Sequence, residues 1–457
     1  MIEDMKHENA LIMDLAWPCI LENLSATLVS LVDTAMVGSL GALATAAVST
    51  CASPSWLING IVQAIGVGGT ALVARSIGAG DRRDAEHTAE QVFRVALVFS
   101  AFIMGLVLLI APLVPVIMRA KAEVHEEATA YMRIVASCYI FHYTGMTMSA
   151  LLRGAGDTKT PMIAGLMANV INTVGNFLLI YSPRDITVFG LTFPMWGAGW
   201  GVRGAAIASA IGMGIAGLYL YLHMYSKNSV LKARLNFKAP MDFSVLQRVV
   251  RIGTPAALER VVINLGQMIF AGMINAVGTA ESAAYMIAIN VEGLGYMPAY
   301  GFSAAATSLV GQRLGAGEPD EAARLGKRCI YMSLLLLSVI GVLMWLGSGW
   351  LARLFSPDAD VVRVASVFIA ICAVEQPFNA FSIVASGALR GAGDTMRPFL
   401  YGLVTMWSIR ILGAVILSDV LHLGVYSILW AMVADLAVRG ALLHLRFLNG
   451  KWKTAKV

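Results

Sequence analysis

Leu152-Arg153-Gly154-Ala155-Gly156-Asp157-Thr158 recurs, residue for residue, as Leu389-Arg390-Gly391-Ala392-Gly393-Asp394-Thr395, 237 positions later. The same offset relates Gly78-Ala79-Gly80-Asp81 to Gly315-Ala316-Gly317-Glu318. It also relates Pro18 and Glu22 to Pro255 and Glu259, and Pro161 to Pro398. No net insertion separates these anchors, so the chain reads as two copies of one design.

Composition says what kind of design. Of 457 residues, 58% are apolar and only 13% charged, with a mean hydropathy of +0.72. A soluble domain carries about 25% charged residues. The figures exclude a soluble enzyme, a disordered protein and a nucleic-acid binder. They leave a polytopic membrane protein. An outer-membrane β-barrel would alternate apolar and polar residues over strands of about ten residues, whereas the apolar runs here are long and continuous. The first ten residues, MIEDMKHENA, are polar and do not read as a cleavable signal peptide.

A spanning helix needs about 20 mostly apolar residues. Twelve stretches qualify, at about 10–38, 44–75, 89–117, 124–151, 158–181, 203–225, 245–277, 281–312, 325–352, 359–388, 395–417 and 424–446. The longer ones imply tilt or extension into water. Between them lie turn sequences such as Gly78-Ala79-Gly80-Asp81 and Ser182-Pro183-Arg184-Asp185. The expected fold is all-α: two six-helix bundles related by a pseudo-twofold axis. Residues 1–226 form the first lobe, 227–244 a polar and basic linker, and 245–457 the second lobe. Six helices is an even number, so both lobes have the same orientation in the bilayer.

Twenty of the 33 Lys and Arg residues fall at one membrane face, among them Lys6, Arg82, Arg153, Arg234, Lys238, Arg324, Arg390 and Lys456. Six fall at the other: Arg119, Lys121, Arg184, Arg203, Arg353 and Arg363. The positive-inside rule then puts both termini in the cytoplasm. Two lobes related by an axis along the membrane normal enclose a cleft, and rocking them exposes it to alternate sides. A channel would need a ring of subunits and a filter loop, and no re-entrant filter sequence is present.

The repeated LRGAGDT, the VDTAMVG at 32–38 and the GAG-D/E turns at 78–81 and 315–318 together resemble the multidrug and toxic compound extrusion (MATE) family. The likeness covers nearly the whole chain. It implies a V-shaped pair of six-helix bundles in the cytoplasmic (inner) membrane. It also implies export of small organic, often cationic compounds, driven by proton or sodium influx.

A charged side chain near the bilayer centre costs about 2.5–3.5 kcal/mol on insertion scales, so the few acids within the spans are the functional candidates. Glu22 lies near the middle of helix one. Asp33 lies three turns further on the same face, roughly 16 Å away along the axis. Pro18 precedes Glu22 by one turn and is expected to weaken or bend the helix. The family's coupling acid on helix one matches Asp33. In the branch that this chain resembles, an Asn and an Asp one turn apart on helix five complete a cation or proton site with it. Here the two positions are Asn172 and Asn176, so one carboxylate is replaced by an amide, and Glu22 is a candidate to compensate.

Glu259, the repeat mate of Glu22, is followed by Arg260 and either pairs elsewhere or lines the cleft. Glu375 sits with Gln376, Pro377 and Asn379 in a polar, proline-broken part of helix ten that reads as cavity lining. The family's use of acids on helices seven and ten for cation binding points to the same residues. Arg153, Asp157, Arg390 and Asp394 are expected as structural latches at the cytoplasmic surface. Asp435 and Arg439, one turn apart, are expected to neutralise each other. Arg410 is read as a fold-fixing cation or part of the cleft. The 24 Met residues suit a plastic apolar cleft.

No resident cofactor is expected. The coupling ion is expected to be a proton or sodium, sodium being the one candidate metal, and no GxxxxGK[ST] loop for ATP occurs. The five scattered Cys read as small core residues rather than a disulfide or metal framework. The expected partners are small organic cations and membrane lipids, with no nucleic acid, and the protein is expected to be a monomer. The alternative is a flippase for lipid-linked precursors of the same superfamily, which would favour extra helices and cationic cavity residues. An intramembrane enzyme would need clustered His, Asp or Ser, and the seven His are scattered.

Overall fold

The computed structural model describes residues 2–188, 191–232 and 240–455. Arg234 and Lys238 of the expected linker, and Lys456, lie outside the described residues. In the N-terminal half, α1 is Ile2–Gly38, α2 is Ala42–Gly78 and α3 is Arg82–Ile110, which continues through short turns to Ile117. Then α4 comes in two segments, His125–Ala136 and Tyr139–Gly154; α5 is Lys159–Leu179 and α6 is Gly201–Tyr225. In the C-terminal half, α7 is Phe243–Asn275, α8 is Thr279–Gly315, α9 is Pro319–Phe355 and α10 is Ala359–Gly391. Last, α11 runs from Met396 to Val420 and α12 is Val425–Leu448.

All twelve expected spans are therefore helical, and among the described residues ten helices are long and apolar enough to cross a membrane. The other two are informative. Helix α4 breaks at Ser137–Cys138, so neither segment spans alone. Helix α8 is 37 residues long but carries Glu281, Glu292 and Gln312. Its neighbours cover this polarity, because it packs against α10, α9, α1 and α2 at once.

Three features depart from the simplest reading. α1 starts at Ile2, so its polar first turns extend the helix beyond the apolar run. The turn at Ser182-Pro183-Arg184-Asp185 opens a short antiparallel hairpin. Its strands are β1, Arg184–Val188, and β2, Leu191–Met195, in the register Arg184↔Met195 to Val188↔Leu191. And α11 widens into π-helical turns at Met406–Ile411 and Ile416–Val420. The helix assignment of α1 runs unbroken through Pro18.

The halves exchange their first helix ends. Ile12, Leu15 and Ala16 of α1 are buried in a core otherwise built by the C-terminal half and Trp452. Val249 and Ile252 of α7, the repeat mates of Ile12 and Leu15, are buried in a core of the N-terminal half. Small residues let the backbones meet along this seam, as at membrane helix interfaces generally. A Cβ on Gly78 would overlap the backbone of Gln312, and one on Gly315 that of Arg75. A Cβ on Gly253 would overlap Ala64, and one on Gly301 would overlap Ala16. In both cases the second contact is the first moved by 237 residues, so the seam is self-complementary.

The C-terminal segment lies under this seam. Trp452 stacks on Phe447, and its Nε1 donates to the Phe447 carbonyl at 2.6 Å. Lys453 reaches Asp320 at 2.6 Å, and Arg75 Nη1 donates to the Ala455 carbonyl at 3.0 Å. Past the seam, the faces of α1, α2 and α7 open: Leu28, Trp56 and Met268 are 55%, 69% and 73% exposed.

Candidate cation-coupling sites

The repeated LRGAGDT motif is a brace. Its Arg reaches back to the first helix of its own half: Arg153 Nη2 donates to Glu22 Oε1 and Oε2 at 2.7 and 2.9 Å, and Arg390 Nη2 to Glu259 Oε2 at 2.7 Å. Gly156 and Gly393, at φ +92° and +86°, make the left-handed turn that follows the helix. The Asp faces the last helix of the half. Asp157 accepts from Thr160 N and Oγ1 at 3.0 and 2.7 Å, with His223 of α6 at 3.8 Å. Asp394 accepts from Arg446 of α12 at 2.9 and 2.8 Å.

Glu22 and Glu259 are thus each held by an Arg. Arg260, next to Glu259, lies instead over the Tyr300 ring at 5.8 Å. Asp33 stands apart from Glu22, in different company. Asn176 Nδ2 donates to Asp33 Oδ1 at 2.6 Å. With the Asn172 amide turned so that its nitrogen faces the carboxylate, it donates to both Asp33 oxygens at 2.8 and 2.9 Å and accepts from Ser209 Oγ of α6 at 2.9 Å. Asn172 and Asn176 are buried and Asp33 is half-buried. Among the described residues no Lys, Arg or His pairs with Asp33. The carboxylate is therefore solvated by neutral amides, an arrangement that leaves its charge for a proton or a small cation to balance.

A second acidic group lies in the C-terminal half. Glu292 of α8 and Cys372 and Glu375 of α10 are buried, with their ligating atoms within 4.8 Å of one another. Neither Glu375 oxygen has a hydrogen-bond donor among the described residues. Gln376 and Asn379 are buried on the same helix, and Gln376 Nε2 donates to the Cys372 carbonyl at 3.3 Å. Beside this pair lies a buried triad. Asp435 Oδ2 accepts from Arg410 Nε at 2.8 Å, and both its oxygens accept from Arg439 Nη2 at 2.6 Å. Arg439 Nε also donates to Thr405 at 3.1 Å. The π-helical stretch at 406–411 carries Arg410 into this network. Among these described residues three carboxylates stand against two guanidinium groups, so one proton or cation between Glu292 and Glu375 would balance the charge.

Of the residues expected from sequence, Asp33, Asn172 and Asn176 come together. Glu375, Gln376 and Asn379 share one buried stretch, while Glu22 and Glu259 do not join either group. Glu292 was not among the expected residues, although it lies well inside the 281–312 run, eleven residues past Glu281 at its end, and satisfies the same criterion as the others.

Twelve helices in two pseudo-symmetric halves, with carboxylates buried among them, define a two-lobed membrane transporter. The MatE family profile matches residues 18–178 and 255–416, two ranges that begin 237 residues apart like the anchors above. The chain belongs to that family, whose members are transporters and not enzymes. It is 30% identical over 447 residues to the probable multidrug resistance protein NorM of Thermotoga maritima, covering 98% of this chain and 93% of the relative. It is 28% identical over 404 residues to the multidrug resistance protein MdtK of Yersinia pseudotuberculosis, covering 87% and 84%. Its fold matches a structure described as the outward-facing conformation of a multidrug resistance MATE family transporter, with a TM-score of 0.88 at 21% identity and 96% coverage of each chain.

Proposed function

We propose that this protein is a secondary antiporter that exports lipophilic, often cationic organic compounds in exchange for protons or sodium. The observation that carries this reading is Asp33, held by two neutral amides with no basic partner among the described residues. Such a carboxylate can take up and release a cation with little rearrangement, which is what a coupling station must do. The Glu292–Glu375 pair is a second acidic station, in the other half. The relatives named for multidrug resistance support the substrate class.

Alternating access follows from the seam. Lobes of residues 1–226 and 245–457 rock about the contacts of α1 with α8 and α2 with α7. The seam end, with its basic residues and both termini, faces the cytoplasm of the inner membrane. Because the start of α1 packs in one half and Asp33 bonds to the other, rocking must flex α1 between them, and Pro18 lies in that interval.

The test is efflux of a fluorescent lipophilic cation from proteoliposomes, with proton and sodium gradients imposed separately. Antiport requires that at least one gradient alone drive efflux. Efflux that follows neither gradient would overturn it.

A further inference from the structure

At the end of the molecule that carries both termini, the first turns of α1 face the start of α9. Arg324, Lys327, Arg328, Tyr331 and Leu335 recur at three- and four-residue spacing, so they share one face of α9. With Met5 of α1 they line a pocket of ≈ 500 Å³. The two helices are tied across it: Arg328 Nε donates to Asn9 Oδ1 at 2.7 Å, and Arg324 Nε to Glu8 Oε1 at 3.0 Å.

The charge in this pocket does not balance. Arg324 is shared by Glu8 and Glu321, whereas Lys327 and Arg328 have no carboxylate partner among the described residues. Beyond the cations the same face of α9 turns apolar and stays open. Tyr331 and Leu335 are 50% and 71% exposed, and Val339, Val342 and Leu346 continue the stripe at 50%, 56% and 69%. The sequence of features is cationic mouth, aromatic collar and bare apolar stripe along the span. That is the profile of a glycerophospholipid, with its phosphate at the interface and its acyl chains below. A small soluble anion would use the mouth and leave the stripe without a role.

We propose that this pocket binds the phosphate headgroup of an anionic membrane phospholipid. The bound lipid bridges α1 and the C-terminal half, and so strengthens the contact between the halves at this end.

The experiment uses the purified full-length transporter in neutral detergent, titrated with dioleoyl phosphatidylglycerol, dioleoyl phosphatidylcholine or glycerol 3-phosphate. Bound adducts are counted by native mass spectrometry. Phosphatidylglycerol is expected to be retained over phosphatidylcholine. Each neutralised cation is expected to weaken retention about fivefold, in keeping with the worth of one basic residue at an anionic surface. The variants are Lys327→Gln/Arg328→Gln and, should the pair impair folding, the exposed Lys327→Gln alone. Retention of phosphatidylglycerol unchanged in the folded variants would overturn the proposal. So would equal retention of phosphatidylcholine, or glycerol 3-phosphate bound as tightly as the lipid.

Discussion

Arg153 holds both carboxylate oxygens of Glu22, at 2.7 and 2.9 Å, and locks the end of α4 to the middle of α1. Its repeat mate, Arg390 with Glu259, does the same between α10 and α7 at 2.7 Å. Both acids are neutralised where they stand, so their first task is to hold the fold. The second pair is the more enclosed, with side chains 18% and 8% exposed against 27% and 20% for the first. Glu259→Gln should therefore cost about 3 kcal/mol, because it leaves a largely buried guanidinium without its partner. Glu22→Gln should cost less. Thermal unfolding of the purified variants checks the order, and Glu259→Gln/Arg390→Gln should recover part of the loss.

The seam at Gly78 and Gly315 permits no side chain. Gly78→Val and Gly315→Val should each force the adjoining helix ends apart. Spin labels placed on Asp81 and Glu318, in the turns just beyond these glycines, report the separation. The expected result is a longer mean distance in either variant than in the parent, with the helix content unchanged.

Asp435 lies between two buried guanidinium groups. Asp435→Asn removes the charge that both need, a loss of about 3–5 kcal/mol for a broken buried pair. The variant should accumulate poorly in the membrane or melt well below the parent. Asp435→Glu should restore part of the yield, since it keeps the charge and changes only its reach.

The repeat made much of the fold legible. One offset, read at a few anchors, set six helices against six, and the apolar runs placed each of them. The pairing of side chains between helices was less accessible. Asp435 and Arg439 could be joined on paper because they are one turn apart. Arg410 could not, because a π-helical turn, invisible to periodicity, brings it there. A signal for the Glu22–Arg153 brace did exist: Glu22, Arg153, Glu259 and Arg390 all obey the 237-residue offset. Two positions kept together in both halves point to a shared contact. The exchange of the first turns of α1 and α7 between the halves left no trace in composition, since Ile12 and Val249 are apolar whichever core receives them. Asp33 and Glu375 stood out by the cost of charge in a membrane, and so would Glu292 by the same rule.

Coupling through Asp33 is tested most directly by gradient-driven efflux of a fluorescent cation from proteoliposomes that hold equal amounts of each folded variant. Asp33→Asn should abolish the response to the driving gradient. Glu22→Gln/Arg153→Gln, which removes the brace between α1 and α4 as a balanced pair, should retain it. An Asp33→Asn protein that still exports the cation at the parent rate under the same gradient would contradict the account.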